Sequence, residues 1–337
     1  MEVRQVRAFF AVVSPTTEMP TLRHQIVEKA RDREAGRGNF ISASRCSISS
    51  VCMKHDRAYG ASMAASLETP ILGAALTKET LAIQRDWILE KQRDLEIQDF
   101  FSSETLDGDW RSVGAEIRRL LDGYTGRLGI HGPFWGFKID SQDPLIRSVV
   151  TKRLLQGLEA CEFVGATQMV IHSPFTTWDY NNLDINPGSR HALTERVHLT
   201  LKDVVQRAEN IGCELVIENI EDKDPTARVL LARSFNSAAV RVSIDTGHAH
   251  YAHVSTGAPP VDYYVDAAGD DLAHVHIQDT DGYSDRHWLP GDGSVRWAAV
   301  FRALGRLSSK PRLLIEVKDQ TNIRRGAAHL EALGLAV

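Results

Sequence analysis

The stretch Gln168-Met-Val-Ile-His172-Ser-Pro-Phe175 contains a short, unbroken apolar run that ends on a histidine. Five further apolar runs also carry His, Asp or Glu at their ends: GIHGP (129–133), LVIEN (215–219), VSIDTGH (242–248), HVHIQD (274–279) and LLIEV (313–317). Runs that are uniformly apolar rather than alternating are typical of parallel strands covered on both faces. The sequence therefore predicts a parallel sheet with ionisable side chains at the ends of its strands.

Short apolar runs and longer amphipathic stretches alternate eight times from Ile71 onward. The predicted strands are Ile71–Leu76, Leu95–Phe100, Leu128–His131, Gln168–His172, Glu214–Glu218, Arg241–Asp245, Ala273–Gln278 and Leu313–Val317. The predicted helices are Glu79–Lys91, Trp110–Leu121, Leu145–Phe163, Leu193–Glu209, Pro225–Ser234, Val261–Ala268, Trp297–Leu307 and Ile323–Leu333. Eight such units over ~265 residues predict an α/β protein with a single (β/α)8 barrel. An open doubly wound sheet is the alternative, but no Gly-x-Gly-x-x-Gly follows the first strand.

The first 67 residues differ from the rest of the chain. They are rich in Arg, Ser and Ala, and their apolar residues keep neither a strand period nor a helix period for long. So little apolar material cannot bury a core. We therefore expect a weakly ordered N-terminal extension at residues 1–67, followed by the barrel domain at residues 68–337.

The overall composition is that of a soluble globular protein, with 43% hydrophobic and 25% charged residues and a net charge of −5. No stretch approaches the ~18 to 20 apolar residues of a membrane span, and the apolar run Ala8–Val13 is too short for a secretory signal. The four cysteines are scattered without a Cys-x-x-Cys pair, as in a reducing compartment. We expect a cytoplasmic protein that does not enter a membrane.

Ionisable residues at the strand ends predict a metal site. The carboxyl ends of parallel barrel strands share one rim, so residues far apart in sequence would surround a single mouth. Such side chains are seldom buried unless they are paired or bind a metal. The candidate ligands are His131, His172, Glu218, Asp245, His248, His276, Asp285, His287 and Glu316. No cysteine is among them, which argues against a closed structural zinc site. If this part of the strand is regular, His274 is expected to point away from His276 and to take no part.

These residues resemble the xylose isomerase-like barrel superfamily, which includes sugar phosphate isomerases and epimerases, ketose 3-epimerases, inosose dehydratases and endonuclease IV. The resemblance covers about residues 70–337. The shared site of the superfamily, which holds one metal, falls on Glu218, Asp245, His276 and Glu316. The ligand pattern of endonuclease IV adds His131, His172, His248, Asp285 and His287. The resemblance thus implies one to three divalent ions (Mn²⁺, Zn²⁺, Co²⁺ or Mg²⁺).

The function that the resemblance implies is a metal-dependent isomerase or epimerase, or a lyase or dehydratase, acting on a sugar, sugar acid or cyclitol. The metal would be a Lewis acid that stabilises an enediolate, with Glu218 and Glu316 as acid and base. His248 is expected to orient a substrate oxygen or to bind a second metal. Candidate substrate-binding residues are Trp135, Phe175, Trp178 and Lys318, although the aromatic residues could equally serve as packing at the rim.

Two alternatives remain open. One is a phosphoesterase of the endonuclease IV type that acts on abasic DNA with three metals. The Gly-Gln-Gly stretch of that enzyme is replaced here by residues 219–224, in which Glu221, Asp222 and Asp224 would repel a phosphate backbone, so nucleic acid is not the expected partner. The other alternative is a barrel that binds a metal or sugar without turnover. The sequence leaves open whether the chain forms a homo-oligomer.

Overall fold

The structure, a computed structural model, describes residues 69–337. Eight parallel strands form a closed barrel in chain order. They are β1 (Gly73–Leu76), β2 (Leu95–Ile97), β3 (Leu128–His131), β4 (Gln168–His172), β5 (Glu214–Glu218), β6 (Val240–Asp245), β7 (Leu272–Ile277) and β8 (Arg312–Ile315). The last strand pairs with the first, with Ala74 opposite Ile315. The predicted (β/α)8 barrel is confirmed, whereas the extension predicted at residues 1–67 lies outside the described residues.

Eleven α-helices flank the barrel in the described part of the chain. They are α1 (Lys78–Glu90), α2 (Ser103–Asp107), α3 (Trp110–Leu120), α4 (Pro144–Val164), α5 (Thr177–Asn182), α6 (Ser189–Ile211), α7 (Pro225–Ser234), α8 (Thr246–Thr256), α9 (Val261–Ala268), α10 (Trp297–Leu304) and α11 (Ile323–Ala332). Eight of them match the predicted helices. The other three, α2, α5 and α8, were not predicted, and they follow β2, β4 and β6 on the rim where the predicted ligands lie.

Helix α8 begins directly after β6 ends. Asp245 is its N-cap, and Oδ1 of Asp245 accepts a hydrogen bond from the backbone N–H of His248 at 2.6 Å. A Cβ at Gly247 would lie 2.2 Å from the side-chain amide of Gln278, so a larger residue here would displace that amide. The segment 245–248, where the sequence predicted no helix, is therefore a helix N-terminus that fixes His248 beside Asp245.

Some strands are shorter than predicted. The second strand ends at Ile97 rather than Phe100, and the eighth ends at Ile315 rather than Val317. Backbone pairing nevertheless continues past β8, because the N–H of Glu316 donates to the carbonyl of Ile277 at 3.1 Å. Glu316 is thus held at the rim directly after the strand.

The strands are buried along nearly their whole length, and most of their apolar residues belong to one large core shared with the helices, while Val170, Val216 and Ala273 form a separate small cluster. The interior of the barrel also contains buried polar side chains, among them Glu96, Ser243, His274 and His276. None of the described helices is long and apolar enough to cross a membrane.

Candidate metal centre

Four of the predicted ligands meet at the carboxyl end of the barrel. Glu218 and Asp245 are the last residues of β5 and β6, His276 lies in β7, and Glu316 directly follows β8. All four side chains are buried, and one ligand atom of each lies within 4.8 Å of those of the others. Nδ1 of His276 is 2.6 Å from Oε1 of Glu218 and 3.3 Å from Oε2 of Glu316. These atoms are close enough to share one ion.

A second group of predicted ligands, His131 and His172, lies next to the first group and contacts it through Glu218. Its Oε2 lies 3.6 Å from Nε2 of His172 and 3.8 Å from Nε2 of His131, while its Oε1 faces His276. One oxygen of this carboxylate therefore faces His131 and His172, and the other faces His276. Such an arrangement is suited to bridging two cations.

The third group consists of His248, Asp285 and His287. Oδ1 of Asp285 lies 3.4 Å from Nε2 of His248 and 3.1 Å from Nε2 of His287. Asp245 connects this group to the first, because its Oδ1 lies 3.7 Å from Nδ1 of His248. The structure thus places all nine predicted ligand residues around one mouth.

The chemistry of these donors fits a divalent cation. Burial raises the pKa of Asp245 to about 6; His248 opposes this shift, and the nearby negative charge of Glu218 adds to it. Burial lowers the pKa of His172 to about 3, so its ring is neutral at pH 7 and has a free lone pair. Buried carboxylates that lie close together are stabilised by a positive charge between them. Neutral imidazole is a good ligand for Zn²⁺, Mn²⁺ or Co²⁺.

Glu96, a residue without a predicted role, lies beneath the site in the barrel interior. Its Oε1 accepts a hydrogen bond from Nε2 of His276 at 3.1 Å, which leaves Nδ1 of that ring for the mouth. Nε2 of His274 lies 3.2 Å from Oε2 of the same carboxylate. The expectation that His274 points away from His276 is therefore wrong, because residues two apart in a regular strand share one face. The strand is irregular only before His274, where the β6–β7 register shifts.

Two side-chain amides hold other ligands, and neither had a predicted role. The amide of Gln278 donates to Asp245 and, at 3.0 Å, to Asp285, while its oxygen accepts from the backbone N–H of His287 at 3.0 Å. Gln98 donates to Glu316 and itself accepts a 2.8 Å hydrogen bond from Gln320. These contacts restrict the orientation of the carboxylates they touch. Second partners of this kind usually tune a metal site.

The predicted substrate-binding residues differ in their surroundings. Phe175 is buried and lines a cavity of about 170 Å³ next to His172, together with Phe134 and Phe137. The ring of Phe134 stacks on His172 with centroids 4.2 Å apart. The remaining three candidates, Trp135, Trp178 and Lys318, are exposed and do not line this cavity. Their role in binding stays a prediction.

The acidic loop after β5 presents less charge to the mouth than the sequence implied. Asp222 is buried and pairs with Nη1 of Arg228 at 3.0 Å, and Asp224 caps α7 by accepting from the N–H of Thr226. Of these three acidic residues, only Glu221 is both exposed and part of the cavity lining, to which the exposed Lys138 also contributes. The expected repulsion of a phosphate backbone therefore depends mainly on Glu221, and the argument against a nucleic acid partner is weaker than the sequence suggested.

Known proteins similar to this chain include two curated proteins and one solved structure. An uncharacterized protein of Methanocaldococcus jannaschii is 22% identical over 225 residues, which is 64% of this chain and 72% of that protein. Fructoselysine 3-epimerase of Escherichia coli O157:H7 is 30% identical over 112 residues, or 32% of this chain and 39% of the enzyme. A structure of a Thermus thermophilus protein soaked with ZnCl2 is 25% identical with a TM-score of 0.61, covering 78% of this chain and 97% of that one.

The family profile described as "Xylose isomerase-like TIM barrel" matches residues 92–333. This range includes seven of the eight strands and all nine predicted ligands. The chain therefore belongs to the xylose isomerase-like TIM barrel family.

Proposed function

We propose that this chain is a divalent-metal-dependent isomerase or epimerase that acts on a sugar, sugar acid or cyclitol. The observation that carries the proposal is the pair of buried carboxylates, Glu218 and Glu316, which lie 2.6 Å and 3.3 Å from Nδ1 of His276. A bound divalent ion (Mn²⁺, Zn²⁺, Co²⁺ or Mg²⁺) would supply Lewis-acid polarisation of a substrate carbonyl and the hydroxyl beside it. The similarity to fructoselysine 3-epimerase, although limited to 112 residues, supports the same class of reaction.

Glu218 and Glu316 are the groups that we propose to move the proton. A carboxylate on one side of the carbon chain removes the proton next to the carbonyl, and an acid on the other side returns one, so the configuration at that carbon is inverted. The hydrogen bond from Gln98 holds Glu316 in a fixed orientation for this step. A well-placed acid or base contributes about 10²- to 10⁴-fold to the rate.

The rest of the substrate is proposed to lie over the cavity beside His172. The aromatic rings of Phe134 and Phe175 offer the apolar face that stacks well on the C–H side of a sugar. His248 lies at the edge of the central carboxylates, and its Nδ1 lies 2.9 Å from the carbonyl oxygen of Asn219. This contact leaves Nε2 to orient a substrate oxygen or to bind a second ion.

Solvent exchange tests the proposal directly. The metal-reconstituted protein is incubated in D2O with ketoses, keto-sugar acids and cyclitols, and carbon-bound deuterium is followed by NMR. We expect exchange with at least one sugar and a loss of at least about 10²-fold in Glu316→Gln. Glu159→Gln, which changes an exposed glutamate on α4, is the matched control. Full exchange in Glu316→Gln would show that the acid–base assignment is wrong.

A phosphoesterase of the endonuclease IV type is the second candidate. It is favoured by the two additional ligand groups, one built on His131 and His172 and the other on His248, Asp285 and His287, because three ions could together neutralise a phosphoryl transition state. Nicking of a duplex with one abasic site, combined with no exchange on any sugar, would support this function and overturn the isomerase.

A further inference from the structure

A second cavity lies at the opposite end of the barrel from the candidate metal centre. It has a volume of about 330 Å³ and is lined by the first residues of three strands, Gln168, Glu214 and Arg312, and by residues of the preceding loops. We call it the N-terminal cavity. Its lining is mostly polar and includes the arginines 127, 241 and 312. None of the nine predicted metal ligands contributes to it.

Arg312 is the buried cation of the N-terminal cavity. Only 5% of the residue is exposed, and burial lowers the pKa of its guanidinium. Nη2 donates to Oγ1 of Thr167 at 2.7 Å, but Nη1 has no hydrogen-bond partner among the described residues. The hydroxyl of Ser309 lines the same cavity, is also buried, and likewise lacks a hydrogen-bond partner there. A buried donor without a hydrogen-bond partner destabilises the folded state.

The charges around the N-terminal cavity leave Arg312 without a carboxylate of its own. Arg127 forms a two-pronged ion pair with Asp94. Arg241 donates to the carbonyls of residues 270 and 271 and lies 4.0 Å from Glu214. Glu214 is the one carboxylate in the lining, and it accepts a hydrogen bond from Gln168 rather than from Arg312. The excess charge of the cavity is therefore positive.

We propose that the N-terminal cavity binds a small tetrahedral oxyanion such as inorganic phosphate. Nη1 of Arg312 and Oγ of Ser309 would donate to it, and its charge would balance the buried guanidinium. A planar guanidinium is suited to hydrogen bonding with such oxygens, and charge-assisted hydrogen bonds are the stronger ones. The ligand would stabilise the fold without touching the chemistry at the other end of the barrel.

Thermal unfolding and calorimetric titration of the full chain with sodium phosphate test the proposal, against sodium chloride at equal ionic strength and pH 7. We expect a saturable rise in Tm and a titration that fits one site per chain. Arg312→Lys, which keeps the charge but loses the planar group, and Ser309→Ala should each weaken phosphate binding at least tenfold. Arg302→Gln, on the exposed face of α10, is the control and should bind as the wild type does.

The candidate metal centre at the opposite end of the barrel is a second place where phosphate can bind. His248→Ala, which alters that centre, is therefore measured in parallel. Retention of the phosphate effect in His248→Ala, with its loss in Ser309→Ala, supports the N-terminal cavity. A phosphate effect that is lost in His248→Ala and kept in both cavity variants would overturn the proposal. The absence of any phosphate-specific effect would overturn it too, and would indicate that water alone fills the cavity. Both results leave the isomerase proposal untouched.

Discussion

Replacing Glu96 by glutamine removes the buried charge that faces two histidines in the barrel interior. The substitution preserves the size of the side chain, so the packing should survive. In the wild type, Oε1 accepts from Nε2 of His276 at 3.1 Å and Oε2 lies 3.2 Å from Nε2 of His274. Burial by itself raises the pKa of Glu96, but the attraction of His276 and His274 outweighs it and holds the pKa below its usual value.

The expected effect follows from the change in one hydrogen bond. A hydrogen bond to a charged group is worth about 1.5–3 kcal/mol, whereas one between neutral groups is worth about 0.5–1.5 kcal/mol. The loss of roughly 1–1.5 kcal/mol corresponds to about a tenfold weaker hold on the ion, at the lower end of the ~10- to 100-fold effects of such outer partners. The side-chain amide of glutamine can also point its NH2 group at His276, which would favour the wrong tautomer of the ring.

Competition with a chromophoric chelator at pH 7 measures the affinity for Zn²⁺ and Mn²⁺, and ¹⁵N NMR of labelled histidine reports which ring nitrogen of His276 carries the proton. We expect Glu96→Gln to bind metal about tenfold more weakly and to show a mixture of tautomers, with Glu159→Gln unchanged. An unaltered metal affinity in a folded Glu96→Gln protein would refute the view that Glu96 positions His276.

Three further predictions concern stability and substrate binding. Arg228→Met should lower the free energy of unfolding in urea by about 3–5 kcal/mol, because Asp222 is left buried without its partner. The double variant that also carries Asp222→Leu should lose clearly less stability than Arg228→Met alone. A loss equal to the sum of the two single losses would contradict this. Burial raises the pKa of Asp99 to about 6. Protonated Asp99 therefore favours the folded state over the unfolded one, and this contribution to the free energy of unfolding is lost as pH rises through about 6. Asp99→Asn should therefore gain up to about 3 kcal/mol relative to wild type at pH 7.5 but not at pH 4, and a difference independent of pH would count against the shift. Trp178 is 74% exposed, so Trp178→Ala should leave Tm nearly unchanged while raising KM several-fold if the ring stacks on the substrate; an unchanged KM would assign it to the surface alone.

The fold was predictable because short apolar runs alternate eight times with longer amphipathic stretches, and six of the runs carry His, Asp or Glu at their ends. Helix α8 was missed for a physical reason: its residues, TGHAHYAHVST, lack a clear apolar stripe, and its start is set by the capping hydrogen bond from His248 to Asp245. A capping interaction that uses a candidate metal ligand is hard to distinguish in sequence from a plain turn.

The candidate ligands were also predictable, since the closed barrel brings all strand ends to one rim. Their supporting residues were not. Glu96 occupies the middle of a three-residue strand, and only the register of β2 with its neighbours turns it toward His276. Gln278 carries no charge and reaches its partners through the fold of the loop that follows it. Local sequence contains neither piece of information.

Metal content per chain tests the central claim most directly. The protein is stripped with a chelator, reloaded with Zn²⁺ or Mn²⁺, passed through gel filtration and analysed by mass spectrometry of the elements, beside Asp245→Asn. We predict at least one retained ion per chain, close to three if all nine side chains act as ligands, and a lower number in Asp245→Asn. A reloaded protein that retains no divalent ion would contradict the account.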